Sequence, residues 1–569
     1  MALLLVLTVL LPLVGSLTLF AMPQLSTRSA RSLALGFTLA TLGLSLLLLL
    51  AFQASVTTPQ FAFEQDGKLG LGWMPRFGVR FALGLDGISL WLYLLTSVLM
   101  ITAVFSSWES VEEKAPAHYG LLLALQTGLL GLFASLDVVL FYIFFEFTLI
   151  PLFFLIGLYG GKDRRRASVT FFLYTLAGSL LTLLGVIALV AIHYQHTPSH
   201  NLTFSIPELT EGLRHLNWPD WTQPIAWGDW RFGKSFWMTP QVLIFLLLFA
   251  GFAIKVPLFP FHTWLPLAHV EAPTAGSILL AGVMLKVGSY GFLRFNMAMT
   301  PIGAQALYPL MATLAVIGIL YGALAALAQT DVKRLVAYSS VSHMGFIILG
   351  LFSLNATGID GAVIQMVNHG LTTGALFACV GVIYERYHTR EMAELSGLWN
   401  RLPLWAFFFI LAAMGSAALP GLNGFVGEFP ILLGMFRTDR TLAILASLGM
   451  ILGAYYLLLM LQKVVFGPLK EPNGQGHSHE THGESHGHGA IRPLGWHEIA
   501  GLSPLMALIV LIGIYPKPFL DRIQPPLVPI VAEFQKMKPE SIARPVVTPA
   551  TNVAKGDVTT PALPNVIAD

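Results

Sequence analysis

Apolar residues fall in long runs along this chain, separated by shorter polar stretches. About fourteen runs are long enough to cross a ~30 Å hydrocarbon core as helices. They lie near 3–22, 31–53, 86–107, 118–134, 136–159, 168–193, 238–266, 275–297, 303–328, 335–353, 358–385, 402–434, 439–466 and 496–515. The alternation of an outer-membrane barrel is absent. The expected fold class is an all-α polytopic membrane protein. Two runs are interrupted: the seventh by KVPLFPFHTWLP, the twelfth by LPGLNGFVGEFP. The breaks are about five spans apart, and an odd offset inverts one unit relative to the other. Broken helices at matching places in inverted halves are a sequence pointer to a transport site.

The polar stretches are of different kinds. Residues 54–83 read as a short hairpin or loop on the surface, and 194–236 are too polar to insert. Residues 467–492 form a histidine-rich loop. Residues 520–569, rich in Pro, Thr, Ala and Val, are expected to be a loosely ordered tail rather than a lateral helix. The expected division is a three-helix segment (1–117), a first repeat of helices 4–8 (118–297) and a second repeat of helices 9–13 (298–468). After these come the loop (469–495), helix 14 (496–519) and the tail (520–569).

Composition agrees with the pattern. The chain of 569 residues is 55% hydrophobic and 11% charged, with mean hydropathy +0.71, against about 25% charged in soluble domains. A net charge of +2 without a basic stripe gives no sign of a nucleic-acid partner. The single cysteine, Cys379, excludes an internal disulfide and a cysteine-held iron–sulfur cluster. Residues 3–22 follow no basic segment and read as a retained span. Loops after odd-numbered spans hold 14 Lys and Arg, those after even-numbered spans 9, with the dense KDRRR cluster among the former. The positive-inside rule then puts both termini on the non-cytoplasmic side.

Ionisable residues inside the runs are the candidate chemistry. A charge at the bilayer centre costs about 2.5–3.5 kcal/mol on insertion scales. Glu146 lies mid-fifth span, Lys255 at the first break, Lys286 mid-eighth, His343 and His369 in the tenth and eleventh, and Glu428 at the second break. Acids, lysines and histidines in that order suit a lateral proton relay. Each has a plainer reading: a structural Glu–Lys pair, satisfied core histidines, or haem-ligating histidines. Haem would leave the buried lysines and acids unexplained. Asp86, Asp137 and Asp331 lie near span ends, where capping is the default. Arg164 to Arg166, Lys333 and Arg334 read as positive-inside anchors. His477, His479, His482, His486 and His488 sit in a Gly-rich loop that reads as solvated, with opportunistic metal binding the alternative.

The segments FFEFTLIPLFFLIGLYGG, KVPLFPFHTWLPLAHVEAPTAGSILLAGVMLKVGSYGFLRF, TDVKRLVAYSSVSHMGFIILG, QMVNHGLTTGALF and LPGLNGFVGEFP resemble the antiporter-like membrane subunits of respiratory complex I. The superfamily also holds the large subunits of multi-subunit Na⁺/H⁺ antiporters, the alternative function. The resemblance implies fourteen helices with two inverted five-helix repeats, broken helices 7 and 12, and a mid-membrane charged axis. It implies Glu146 paired with Lys255, Lys286 as connector, His343 and His369 as links, and Glu428 as terminal group. A glutamate at that last position points to the M type of subunit, away from types L and N. The implied activity is proton translocation driven by NADH–quinone oxidoreduction at a distance. No cofactor is expected in this chain; NADH, FMN, iron–sulfur clusters and quinone are expected in partner subunits. The expected partners are the bilayer and other membrane subunits, L and N among them, in the inner (cytoplasmic) membrane.

Overall fold

The computed structural model describes residues 1–196, 201–215, 226–227, 230–231, 240–472 and 491–537. Twelve of the described helices are long and apolar enough to cross a membrane. In chain order the helices are α1 (Ala2–Ala21), α2 (Thr27–Ala51), α3 (Gly87–Ser106), α4 (Ala115–Ala134), α5 (Val138–Tyr159), α6 (Arg164–His196) and α7 (Ile206–His215). Next come α8 (Pro240–Lys255), α9 (Trp264–Glu271), α10 (Thr274–Met297), α11 (Pro301–Ala306), α12 (Tyr308–Leu327), α13 (Val332–Leu351) and α14 (Ala356–Tyr387). The last are α15 (Pro403–Ser416), α16 (Asn423–Thr438), α17 (Arg440–Val464), α18 (Trp496–Ile514) and α19 (Lys517–Lys536).

Burial divides them. The apolar windows of α10 and α14 are entirely buried and those of α3 and α4 nearly so, whereas α1, α2 and α17 leave most of theirs uncovered. The uncovered leucines of α1 recur as Leu3, Leu7, Leu10 and Leu17, a stripe suited to lipid. The centre is therefore α10 and α14 packed on α3, wrapped by helices that meet the bilayer.

Acidic caps start several spans. Asp86 accepts from the Ile88 and Ser89 amides, both at 3.0 Å, and the Ser89 hydroxyl returns to the Asp86 amide, a capping box. Asp137 caps α5 and also accepts from the Arg80 amide at 2.9 Å, tying the span to a hairpin. Asp331 caps α13 through the Arg334 amide. The 54–83 stretch holds two small antiparallel pairs, β1 (Glu64–Gln65) with β2 (Lys68–Leu69) and β3 (Leu71–Met74) with β4 (Val79–Phe81). They cap one end of the bundle, opposite the end that carries Arg164 to Arg166.

Both interruptions are present as chain breaks. α8 stops at Lys255 and the chain resumes as α9. α15 stops at Ser416 and resumes as α16, with Gly421 at φ +92° in between, a conformation side chains avoid.

Two expectations are corrected. The tail is not loose where it is described, since residues 517–536 form α19 despite Pro525, Pro526 and Pro529 inside it. Phe519, Ile523, Leu527, Ile530 and Phe534 recur at helical spacing and bury one face against α3 and α14. That packing outweighs the ~3 kcal/mol a helix-interior proline costs. Lys333 is not a surface anchor. It is buried and donates to the Ala272 and Val270 carbonyls at 2.6 and 3.3 Å, groups that the end of α9 leaves without helical partners. The histidine tract 476–489 and residues 538–569 lie outside the described residues.

Candidate functional site

Lys286 is wholly buried, and π-helical turns at Leu280–Met284 and Phe292–Met297 flank it. Such wide turns recur at functional sites because they free backbone groups. Here the Ala281 carbonyl accepts from Lys286 Nζ. Nζ also lies 2.7 Å from His369 Nδ1 on α14. An ammonium only donates, so facing a charged Lys286, His369 carries its proton on Nε2. That Nε2 is buried without a partner. The His343 ring on α13 has its centroid 5.7 Å away, and no hydrogen bond joins the two rings. A water, or a small ring movement, is what would complete the step.

Beyond that gap the chain is continuous. His343 Nδ1 meets Glu428 Oε1 of α16 at 2.8 Å. Its Nε2 meets the Ser416 hydroxyl at 3.2 Å and that of Tyr456 at 3.5 Å. Gln365 Nε2 donates to the same Glu428 oxygen at 3.0 Å. Asn368 and Asn423 exchange side-chain to backbone bonds at 2.7 and 3.2 Å, fastening α14 to α16 beside the break. An imidazole between hydroxyls and a carboxylate can take a proton on one nitrogen and release one from the other. With both nitrogens engaged, His343 is poorly suited to ligate a haem.

The other end differs. Glu146 is half-buried and its Oε1 has no partner. Lys255 is buried, Nζ has no hydrogen-bond partner, and it sits 4.1 Å above the Phe145 ring. No ion pair within 4 Å joins Glu146 to Lys255, although the acid is within electrostatic reach. The reason is local: Phe145 and Glu146 are neighbours about 100° apart on a helix, and the lysine lies over the ring. The structure thus brings Lys286, His369, His343 and Glu428 into one line and leaves Glu146 and Lys255 apart.

Sequence reading passed over the polar residues that complete the line. Gln365 sits one turn before His369, so the i, i+4 spacing put both on one face. Ser416 and Tyr456 carried no comparable signal. His269, fully buried with neither ring nitrogen partnered, stacks on Phe377 at 4.8 Å. Asp86 does more than cap, because it forms an ion pair with Arg294 across α3 and α10.

Residues 135–453 match the family model of NADH:quinone oxidoreductase/Mrp antiporter membrane subunits. The chain belongs to this family. Within the family it is similar to NADH-quinone oxidoreductase subunit M of Rhodobacter capsulatus, 41% identical over 89% of this chain and 91% of the relative. It is also similar to NADH-ubiquinone oxidoreductase chain 4 of Chondrus crispus, 39% identical over 91% and 96%. Among solved structures it resembles a chain of respiratory complex I from Thermus thermophilus (TM-score 0.75, 32% identity, 94% and 99% covered). A chain of the Mrp complex from Dietzia sp. DQ12-45-1b shares the fold alone (TM-score 0.72, 20% identity, 93% and 99% covered). The buried polar line therefore belongs to an antiporter-like membrane subunit of the M type.

Proposed function

We propose that this chain is a proton-translocating membrane subunit of an NADH–quinone oxidoreductase, moving protons along its mid-membrane Glu/Lys/His line while redox chemistry proceeds in other subunits. The observation that carries this reading is the buried sequence Lys286–His369, then His343–Glu428, in which hydrogen bonds hold each pair. Burying charges without function is costly, and a line of titratable groups within a few ångströms can hand protons along with one water between. Glu146 and Lys255 act as the movable end of that line. When they close into contact the lysine is held charged; when they part it can release its proton. NADH, FMN, iron–sulfur clusters and quinone belong, on this reading, to partner subunits, and this chain carries no redox site. Its neighbours are other antiporter-like subunits of types L and N. The membrane is the inner (cytoplasmic) one, with both termini on the non-cytoplasmic side.

The test is Lys286→Ala in the assembled complex, in sealed vesicles, with NADH oxidation and proton uptake recorded together. Oxidation continuing with proton translocation largely lost supports the reading. Undiminished translocation per NADH overturns it. Na⁺ exchanged for H⁺ by the purified chain alone in proteoliposomes would replace it with the antiporter function.

A further inference from the structure

A second group of titratable side chains gathers away from that line. At the end of the bundle that carries Arg164 to Arg166, α3, α10, α14 and α18 border a narrow cleft of about 20 Å³, room for about one water molecule. Its lining includes Thr102, Ser106, Thr274, Glu385, His497 and Glu498. Phe105, Trp108 and Trp496 cluster beside it, with Trp496 ring centroids 5.6 Å from both of the others, as aromatic residues do at a membrane surface.

Charge at the mouth is unevenly matched. Three carboxylates, Glu109, Glu385 and Glu498, meet two arginines. Arg492 grips Glu109 at 2.5 and 2.9 Å, and this bond holds the Glu109 carboxyl below its usual range. Arg386 grips Glu498 at 2.7 and 2.8 Å. Both arginines thus serve as clamps tying α18 to its neighbours. Glu385 forms no ion pair within 4 Å among the described residues and is part exposed beside the cleft. His497 lines the same space from α18.

The inner wall leads inward. Thr274 opens α10 and touches α14, where a methyl on Gly381 would lie 2.5 Å from Thr274 Cγ2. One turn on, the Ser277 hydroxyl donates to the His269 carbonyl at 3.0 Å. The unpartnered His269 ring rests on Phe377, next in sequence to Ala378 of the cleft wall. Lys286 follows on α10, about 18 Å from Thr274 at 1.5 Å per residue.

We propose that this cleft is a proton entry with room for a single bridging water, in which Glu385 and His497 take protons from the aqueous phase and pass them along Thr274 and His269 toward Lys286. A proton from water adds to the Glu385 carboxylate as an O–H bond. That bond breaks as the proton moves to a cleft water, and Glu385 returns to carboxylate. The proposal rests on the reading of Lys286 as a proton carrier, and adds a mouth built partly by α3 and α18, outside both expected repeats.

Two measurements on the assembled complex test it. In a Cys379→Ser background, Thr274→Cys is exposed to a membrane-impermeant, positively charged methanethiosulfonate from each face in turn, and this subunit is isolated before the label is read. Labelling from the Arg164–Arg166 face alone is expected. No labelling, labelling from the opposite face, or reaction only with a bilayer-soluble maleimide, as a lipid-filled cleft would give, overturns the entry. Glu385→Gln is then compared with Lys286→Ala for protons moved per NADH oxidised. Glu385→Gln is expected to lose at least about tenfold, the scale of a removed acid–base group, with NADH oxidation retained. Normal translocation with Glu385→Gln beside a defective Lys286→Ala removes the entry and leaves the proposed function standing. Normal translocation with both removes the two together.

Discussion

The two halves of the buried line are organised on different principles. From Lys286 to Glu428 each ionisable group meets a polar protein partner, and Gln365, Ser416 and Tyr456 fix the orientation of the pair His343 and Glu428. Glu146 and Lys255 make no bond to each other: Glu146 has Tyr142, one turn before it, as its polar neighbour, and the lysine has only the Phe145 ring beneath it. A pre-set line moves a proton with little rearrangement. On the proposed function, an unbonded pair has to move before it transfers anything, and so would set when transfer happens. In that proposal the two kinds of construction would separate conduction from timing.

That contrast can be broken at either end. Lys286→Ala cuts the pre-set half at its junction and leaves His369 Nδ1 buried and unpartnered, a penalty of about 1–3 kcal/mol. It should lower protons translocated per NADH by at least about tenfold. Glu146→Ala or Lys255→Ala removes the timing element and should also reduce coupled pumping strongly, with NADH oxidation less affected; normal pumping by either variant in an assembled complex would sink that role. Glu428→Gln keeps the volume and can keep a bond to Gln365, but ends the line in a group that cannot ionise. A partial loss of about threefold is expected, read from the initial rate of vesicle acidification. Phe145→Leu removes the cation–π contact, about 0.5–2 kcal/mol in size. It should free Lys255 to approach Glu146, shifting the turnover rate more than the ratio of protons to electrons. Deleting residues 476–489 should leave both rates unchanged, and a pumping defect there would mean that the tract contributes beyond a solvated loop.

Legibility followed cost. Lys286 and Glu428 stood out because a charge in an apolar run is expensive wherever it sits, and the breaks stood out because Pro and Gly leave letters. Which charges touch was not legible. The His343–Glu428 contact joins positions 85 residues apart, and nothing local encodes it. Neither was the separation of Glu146 from Lys255, since the lysine could face the ring or the acid from the same backbone. Gln365 and Tyr456 were lost among ordinary polar residues of buried helices. Lys333 looked like a surface anchor because its partners are backbone carbonyls, which are the same in every residue. Helix α19 was hidden by its prolines, although Phe519, Ile523, Leu527 and Ile530 spell a helical face. The fold was written in composition and run length; the wiring was written in tertiary contacts.

Helix α19 also lies across the hairpin end of the bundle. Phe519 stacks near Trp91 of α3 at 4.3 Å, Gln524 bonds Asp360 of α14 at 2.9 Å, and Gln305 reaches the Met537 carbonyl at 3.3 Å. Its seat on Gly87 is so close that a methyl there would fall 1.5 Å from the Arg522 carbonyl oxygen. All the spans between α3 and α18 are made before α19 is, and they have to be inserted and gathered before that seat exists. Docking of this one helix therefore reports that the spans it rests on have been gathered. Undocked, its Ile, Leu and Phe face is bare; docked, that face is covered. Helix α19 is thus a check on the packing of the spans beneath it as well as a part of the bundle.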